Sequence, residues 1–267
     1  MKKSLFAGLI LTLCLPFLMG CGKDTSADNP SAVSTPKIVV GLDDNYPPMG
    51  FKDKNNTITG FDVDIAKEAA KRLGREVEFK AIDWDSKEAE LKSKRIDVLW
   101  NGLDITEKRK ENMAFSEPYM ENRQIVFVRK DSVDTIHSVA DLQGKVIGTQ
   151  SGGTAEEYLD NHAELKNNLK EVKKYTDYIS AFMDLENGRL DAIVSDEITG
   201  RYYLSKHPES LAALDVVVGP VSDFGIGFRK DDTALRTEIQ KVMDAMKEDG
   251  TLARISEKWF GKDIMKK

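Results

Sequence analysis

From Lys37 onward the chain alternates short apolar runs with segments whose apolar residues recur every three or four positions. Lys37-Ile38-Val39-Val40-Gly41 opens as a strand. From Asp62, residues Val63, Ile65, Ala66, Ala69, Ala70 and Leu73 share one side of a helix, and Gly74 is placed to stop it. Val77 and Phe79 alternate as a strand, Ala89 and Leu91 sit on a short helix, and residues 96–100 form a buried strand. A second set follows: a strand over 146–149, a helix from Thr154, a strand over 172–175, a helix over 178–187 and a strand over 192–194. Strand, helix, strand, helix, strand is the pattern of a parallel α/β sheet, and here it occurs twice.

The two sets share text. Arg95-Ile96-Asp97-Val98-Leu99 returns as Arg189-Leu190-Asp191-Ala192-Ile193, and Phe127-Val128-Arg129-Lys130-Asp131 is echoed by Gly227-Phe228-Arg229-Lys230-Asp231. The pattern therefore predicts two related α/β lobes, residues 37–122 with 224–267 and residues 126–219, with crossings near 121–125 and 220–224. Two amphipathic helices, over 235–246 and 252–260, are expected to pack back on the first lobe.

Residues 1–20 stand outside this pattern. Lys2 and Lys3 precede an apolar run over 5–19 that is too short for a spanning helix, which needs about 20 apolar residues, and fits a secretory signal. It closes with Leu18-Met19-Gly20-Cys21, which resembles the lipobox of bacterial lipoproteins. That resemblance implies cleavage before Cys21, acylation (palmitate) of Cys21, and anchoring at the outer face of the cell membrane or in the periplasm. Cleavage removes Cys14 along with Lys2 and Lys3, so the formal charge goes from −6 to −8 and no disulfide is expected. Residues 22–36, rich in Ser, Asp and Pro, read as a flexible tether.

Charge and composition narrow the chemistry. With 39 Lys plus Arg against 45 Asp plus Glu in 267 residues, the chain is mildly acidic, which argues against nucleic acid as a partner. Two Cys and three scattered His offer no thiolate or imidazole metal site, and no cofactor motif is present. Thr106 can cap a helix start, and Arg109 falls in its first turn, where a guanidinium could grip a carboxylate. Read alone, Arg109 is first a surface residue beside Lys108 and Lys110. Ser151-Gly152-Gly153-Thr154 joins a strand to a helix; its glycines permit close backbone approach, or make a plain turn, and the ending is not that of a phosphate loop. Asp196 follows a strand, where open α/β sheets place ligand groups, yet with Glu197 it also reads as a helix start.

Five motifs occur in order: Gly41-Leu-Asp43-Asp-Asn-Tyr46-Pro-Pro, Gly60-Phe-Asp62-Val-Asp64-Ile-Ala, Asn101-Gly-Leu-Asp-Ile-Thr-Glu-Lys-Arg109, Phe115-Ser-Glu-Pro-Tyr119 and Ser151-Gly-Gly-Thr154. Together, over about 37–260, they resemble extracytoplasmic solute-binding protein family 3, the polar amino-acid-binding proteins of ABC importers. The resemblance implies a two-lobed periplasmic-binding-protein-like (type II) fold, a parallel-rich sheet in each lobe and a two-strand hinge. It implies binding, not catalysis, and delivery of an L-amino acid to an ABC permease by a monomer. It assigns Arg109 to the ligand carboxylate, with backbone amides near Gly102 and Thr154. It pairs Asp196 with the ammonium, sets Tyr46 and Trp84 against the side chain, and turns Asp43 toward the side-chain pocket. Asn101 and Gln150 complete the candidate set, and the alternative for Trp84 is ordinary core packing.

One position departs from the family. Asp104 stands where a hydroxyl is usual, so Asp43, Asp104 and Asp196 against Arg109 give the site a formal charge of −2. That favours a cationic ligand or one with extra amino groups (lysine, arginine, ornithine or cystine), unless one Asp is protonated or Asp104 turns outward. The alternatives are a glutamine-type neutral ligand, for which Gln150 could serve as amide partner, and a cyclohexadienyl dehydratase-like enzyme on the same fold.

Overall fold

The computed structural model describes residues 37–267. The signal segment, the lipobox with Cys21 and the tether lie outside the described residues. Two five-strand orders build the molecule. The first runs Val77–Ala81, Ile38–Leu42, Val98–Asp104, Ser222–Phe228, Ala114–Phe115, with Met120–Asn122 also paired to Ser222–Phe228. The second runs Glu171–Tyr175, Val146–Gln150, Ala192–Asp196, Gln124–Arg129, Leu211–Val217. Each begins with three parallel strands and gains an antiparallel fourth. That fourth strand comes from the crossing segment. Ser222–Phe228 returns to the first sheet after Leu211–Val217, and Gln124–Arg129 enters the second after Met120–Asn122.

The apolar rows behave as periodicity predicts. Helix Phe61–Arg72 buries Phe61, Val63, Ile65, Ala66, Ala69 and Ala70 and stops before Gly74. The C-terminal helices Thr233–Glu248 and Thr251–Phe260 pack with it, burying Leu235, Ile239, Met243, Met246 and Leu252 in the same core. A small antiparallel sheet of Asn45–Tyr46, Gly50–Lys52 and Ile58–Thr59 leads from the first strand into Phe61–Arg72.

The shared text has a shared job. Asp97 Oδ2 accepts a hydrogen bond from the Val39 amide at 3.0 Å, and Asp191 Oδ2 accepts one from the Val146 amide at 2.7 Å. Each Asp thereby ties the third parallel strand to the start of the first. Arg229 Nη1 donates to the Leu91 and Ile96 carbonyls at 3.4 and 2.7 Å, while Arg129 Nη1 donates to Leu185 and Leu190 at 3.2 and 2.8 Å. In each lobe an arginine at the end of the antiparallel strand ties off the turn between a helix and its next strand.

Two strands run further than the apolar pattern predicts. The strand expected over 96–100 is Val98–Asp104, and the one expected over 192–194 is Ala192–Asp196. Antiparallel neighbours extend them: Asp104 is in register with Phe224, and Asp196 with Gln124. Tertiary pairing thus carries polar residues into buried strand that hydropathy alone reads as loop.

Replacing Arg129 or Arg229 by Ala should lower stability by about 1–3 kcal/mol, the cost of charge-assisted hydrogen bonds to carbonyls that would lose their donor. Urea denaturation of the single variants checks this.

Candidate functional site

The carboxyl ends of the parallel strands from both sheets meet in one buried polar cluster. Asp43 stands one residue past Ile38–Leu42, and its amide donates to Asn101 Oδ1 at 2.9 Å. Its carboxylate accepts from the Asn45 amide at 2.8 Å and from Gln150 Nε2 at 2.6 Å. Gln150 ends a strand of the second sheet and also donates to the Thr176 carbonyl at 3.0 Å, so this bond joins the lobes. Asp104 does not turn outward: its carboxylate accepts from Thr154 and Ser222 hydroxyls and from Asn122 Nδ2, the last at 3.0 Å.

Asn122 is the bridge. The same Nδ2 donates to Asp196 Oδ1 at 2.6 Å, and Gln124 Nε2 donates to that oxygen at 2.7 Å. Asp196 occupies the N-cap position of helix Glu197–Lys206 but makes no side-chain cap bond; its carboxylate is turned to the cluster instead. Burial pushes the Asp43 carboxyl up to about 6. Burial, and then the neighbouring Asp196 charge, pushes the Asp104 carboxyl up as well.

Arg109 is a buried residue, 2% exposed, and not a surface arginine. The Thr106 hydroxyl accepts from its amide at 3.2 Å, the cap read from the sequence. Its Nη1 donates to the Asp104 carbonyl at 3.0 Å and its Nη2 to the Gly152 carbonyl at 3.2 Å, while Nε lies 3.7 Å from Glu157. Each terminal nitrogen carries a second N–H, which leaves donors for a carboxylate.

Three expectations need correction. The Gly102 amide is not available to a ligand carboxylate: it donates to Asp62 Oδ2 at 2.6 Å, an acceptor that also takes the Tyr119 hydroxyl at 3.0 Å. Gly102 instead serves by its left-handed backbone (φ 56°), since a Cβ there would sit 3.0 Å from the Tyr46 ring. Of the Ser151-Gly152-Gly153-Thr154 loop, the first three amides do not face the cleft, because they donate to Tyr175 O, Glu156 Oε2 and Gln150 O within the second lobe, which leaves the Thr154 amide as the candidate. What the loop presents to the first lobe is the Gly152 carbonyl. Trp84, 7% exposed, lies in an apolar cluster with Leu91, Ile96, Leu99, Leu103 and Met113, the core-packing alternative. Tyr46 is also buried, its ring 6.3 Å from that of Tyr178 across the lobes.

Other members carried little sequence signal. Asn122, Gln124 and Ser222 lie at the crossings, where a polar residue beside an apolar strand was the sole cue. Lys87 had none. It is 5% exposed, and its ammonium donates to the Trp84 and Gly152 carbonyls at 3.2 and 2.8 Å. Counting Lys87 and Glu157 leaves the formal charge at −2, because their charges cancel. Among the described residues no His, Cys, Asp and Glu group could hold a metal ion.

Residues 38–262 match the family described as bacterial extracellular solute-binding proteins, family 3. The chain belongs to that family. Among its relatives, ABC transporter arginine-binding protein 1 of Escherichia coli (strain K12) is 36% identical over 233 residues, 86% of this chain and 93% of the relative. L-cystine-binding protein TcyA of Bacillus subtilis (strain 168) is 33% identical over 278 residues, covering 100% of each. A crystal structure of an ABC uptake transporter substrate binding protein from Streptococcus pneumoniae with bound histidine superposes with TM-score 0.82 at 36% identity, covering 86% of this chain and 95% of the other. An ancestral arginine-binding protein bound to arginine gives 0.80 at 39% identity, covering 85% and 100%. The type II, two-lobed fold of family 3 is therefore the fold of this chain. Among the described residues no helix is long and apolar enough to cross a membrane.

The buried carboxylates give this family 3 protein a testable pH dependence. Between pH 7 and pH 5 the folded state takes up a proton at Asp43, whose pKa is about 6, while the unfolded chain at 3.8 largely does not. A raised carboxyl pKa destabilises the fold at high pH, so stability rises as pH falls through this window. For Asp43 alone the gain is about 1 kcal/mol, and Asp43→Asn should remove it. Urea denaturation of ligand-free residues 22–267 at the two pH values checks both statements.

Proposed function

We propose that this chain binds a polar L-amino acid between its lobes, with a cationic ligand favoured, and hands it to an ABC importer without transforming it. The observation that carries the reading is the burial of Asp43, Asp104 and Asp196 at strand ends from both lobes, together with buried Arg109 on helix Glu107–Lys110. A zwitterion needs a partner for each charged end once it is desolvated. Arg109 and Thr154 take the carboxylate, Asp196 the ammonium, and Asp43 a positive side-chain group, with Tyr46 flanking it. Asn101 and Gln150 hold Asp43 in place, and Gly102 allows the close approach of Tyr46. Asp104 and the formal −2 charge favour lysine, arginine, ornithine or cystine, in keeping with relatives named for arginine and cystine.

In this reading the lobes, residues 37–122 with 224–267 and residues 126–219, close over the ligand as hinged bodies. The mature protein starts at Cys21, is held at the outer face of the membrane by acyl chains (palmitate), and acts as a monomer with its permease. More than one lipid chain is what stable anchoring requires.

A thermal-shift screen of residues 22–267 against the L-amino acids, ornithine and cystine tests the reading, because binding to the folded state raises the melting temperature. The largest shift is expected with a cationic amino acid or cystine. A shift with glutamine alone would overturn the charge argument. No shift with any amino acid would overturn the binding reading and turn attention to prephenate or arogenate turnover. Arg109→Ala should cost about 2–5 kcal/mol of affinity by isothermal titration, as for breaking a buried charge pair. Unchanged affinity would remove Arg109 from the carboxylate site.

A further inference from the structure

Lys87 is buried, and among the described residues it has no counter-ion. Among the described residues its ammonium bonds only two carbonyl oxygens, Trp84 O at 3.2 Å and Gly152 O at 2.8 Å, and lies over the Trp84 indole, 5.3 Å from the ring centroid. An ammonium has three N–H donors, so one has no carbonyl partner. Taking a charge out of water without pairing it costs several kcal/mol, and an apolar side chain of similar length would fill the position more cheaply. The position of Lys87 gives it a use. It sits in the first lobe, on helix Lys87–Lys92, and the Gly152 carbonyl it reaches belongs to the second. Arg109 Nη2 donates to that same carbonyl, so the two cations converge on one oxygen at the cleft. Gly152 makes this approach possible: its φ is +71°, and a Cβ would lie 2.7 Å from Asp85 Cα.

We propose that Lys87 is a second cation for the ligand's carboxylate, acting beside Arg109 at the Gly152 carbonyl. This rests on the amino-acid reading above. Burial, and then the Arg109 charge, pulls the Lys87 ammonium down to about 7, against the weaker pull of Glu88 on its own helix, Asp85 on the preceding turn Trp84–Ser86 and Glu157 on helix Thr154–Asn161. A carboxylate arriving beside it restores the charged form. Affinity is therefore highest where Lys87 is already protonated and falls as pH rises from 7 toward 8.5.

The test compares wild type with Lys87→Met, using L-arginine and agmatine, which is arginine without its carboxylate. Met should weaken arginine binding about 10- to 100-fold, as loss of a charged partner does, while agmatine changes less than about threefold. The fall in arginine affinity between pH 7 and 8.5 should vanish in the variant, and its unliganded melting temperature should match or exceed that of wild type. Arginine binding equal to wild type would overturn the proposal. So would equal losses for arginine and agmatine with a lowered melting temperature, which is the signature of a merely structural lysine. Absence of amino-acid binding by wild type would instead refute the reading on which the proposal rests, and the proposal with it.

Discussion

Charge buried at the strand ends is the constraint around which this molecule is arranged. Asp43, Asp104 and Asp196 lie almost wholly out of water, and a desolvated carboxylate must be hydrogen-bonded, paired or protonated. The fold answers with neutral donors more than with cations. Asn122 serves Asp104 and Asp196 at once, Gln124 serves Asp196, Thr154 and Ser222 serve Asp104, and Gln150 serves Asp43. Amide and hydroxyl donors satisfy the oxygens without cancelling the charge. The cluster therefore keeps its negative potential while remaining compatible with burial.

The same bonds explain why the lobes act together. Thr154 to Asp104 and Gln150 to Asp43 cross from one sheet to the other, while Asn122 joins the two carboxylates from the crossing segment itself. Opening the cleft would break the first two and expose the carboxylates to water. Closing trades water for protein donors or for a ligand carrying positive charge. In the proposed reading, closure and charge compensation are one event.

Behind the cleft, the halves repeat a device. Arg129 and Arg229 each tie off a helix-to-strand turn, and Asp97 and Asp191 each anchor the third parallel strand to the start of the first. These clamps hold the strand ends that present the polar cluster. Duplication of the text gives two sheets of the same plan, and the chain crosses between them twice, from Met120–Asn122 to Gln124–Arg129 and from Leu211–Val217 to Ser222–Phe228.

Much of this was legible in the residues. The helix over Asp62–Leu73, the twin strand patterns and the repeated Arg-x-Asp segments follow from hydrophobic period and local text, because the side chains that face the core are set by secondary structure alone. The Thr106 cap on Arg109 is likewise local, three residues apart. Lys87, Asn122 and Ser222 could not be read, since their partners lie far along the chain and polar residues of this kind are common on any surface. Donor direction was also beyond the text. Only the assembled fold decides that the Gly102 amide is spent on Asp62 and that the Ser151-Gly152-Gly153 loop offers a carbonyl, because a backbone group's partner depends on which strand or helix is packed beside it. The sequence by itself determined the two-lobed plan and the residue types of the site; tertiary packing decided which atoms face the cleft.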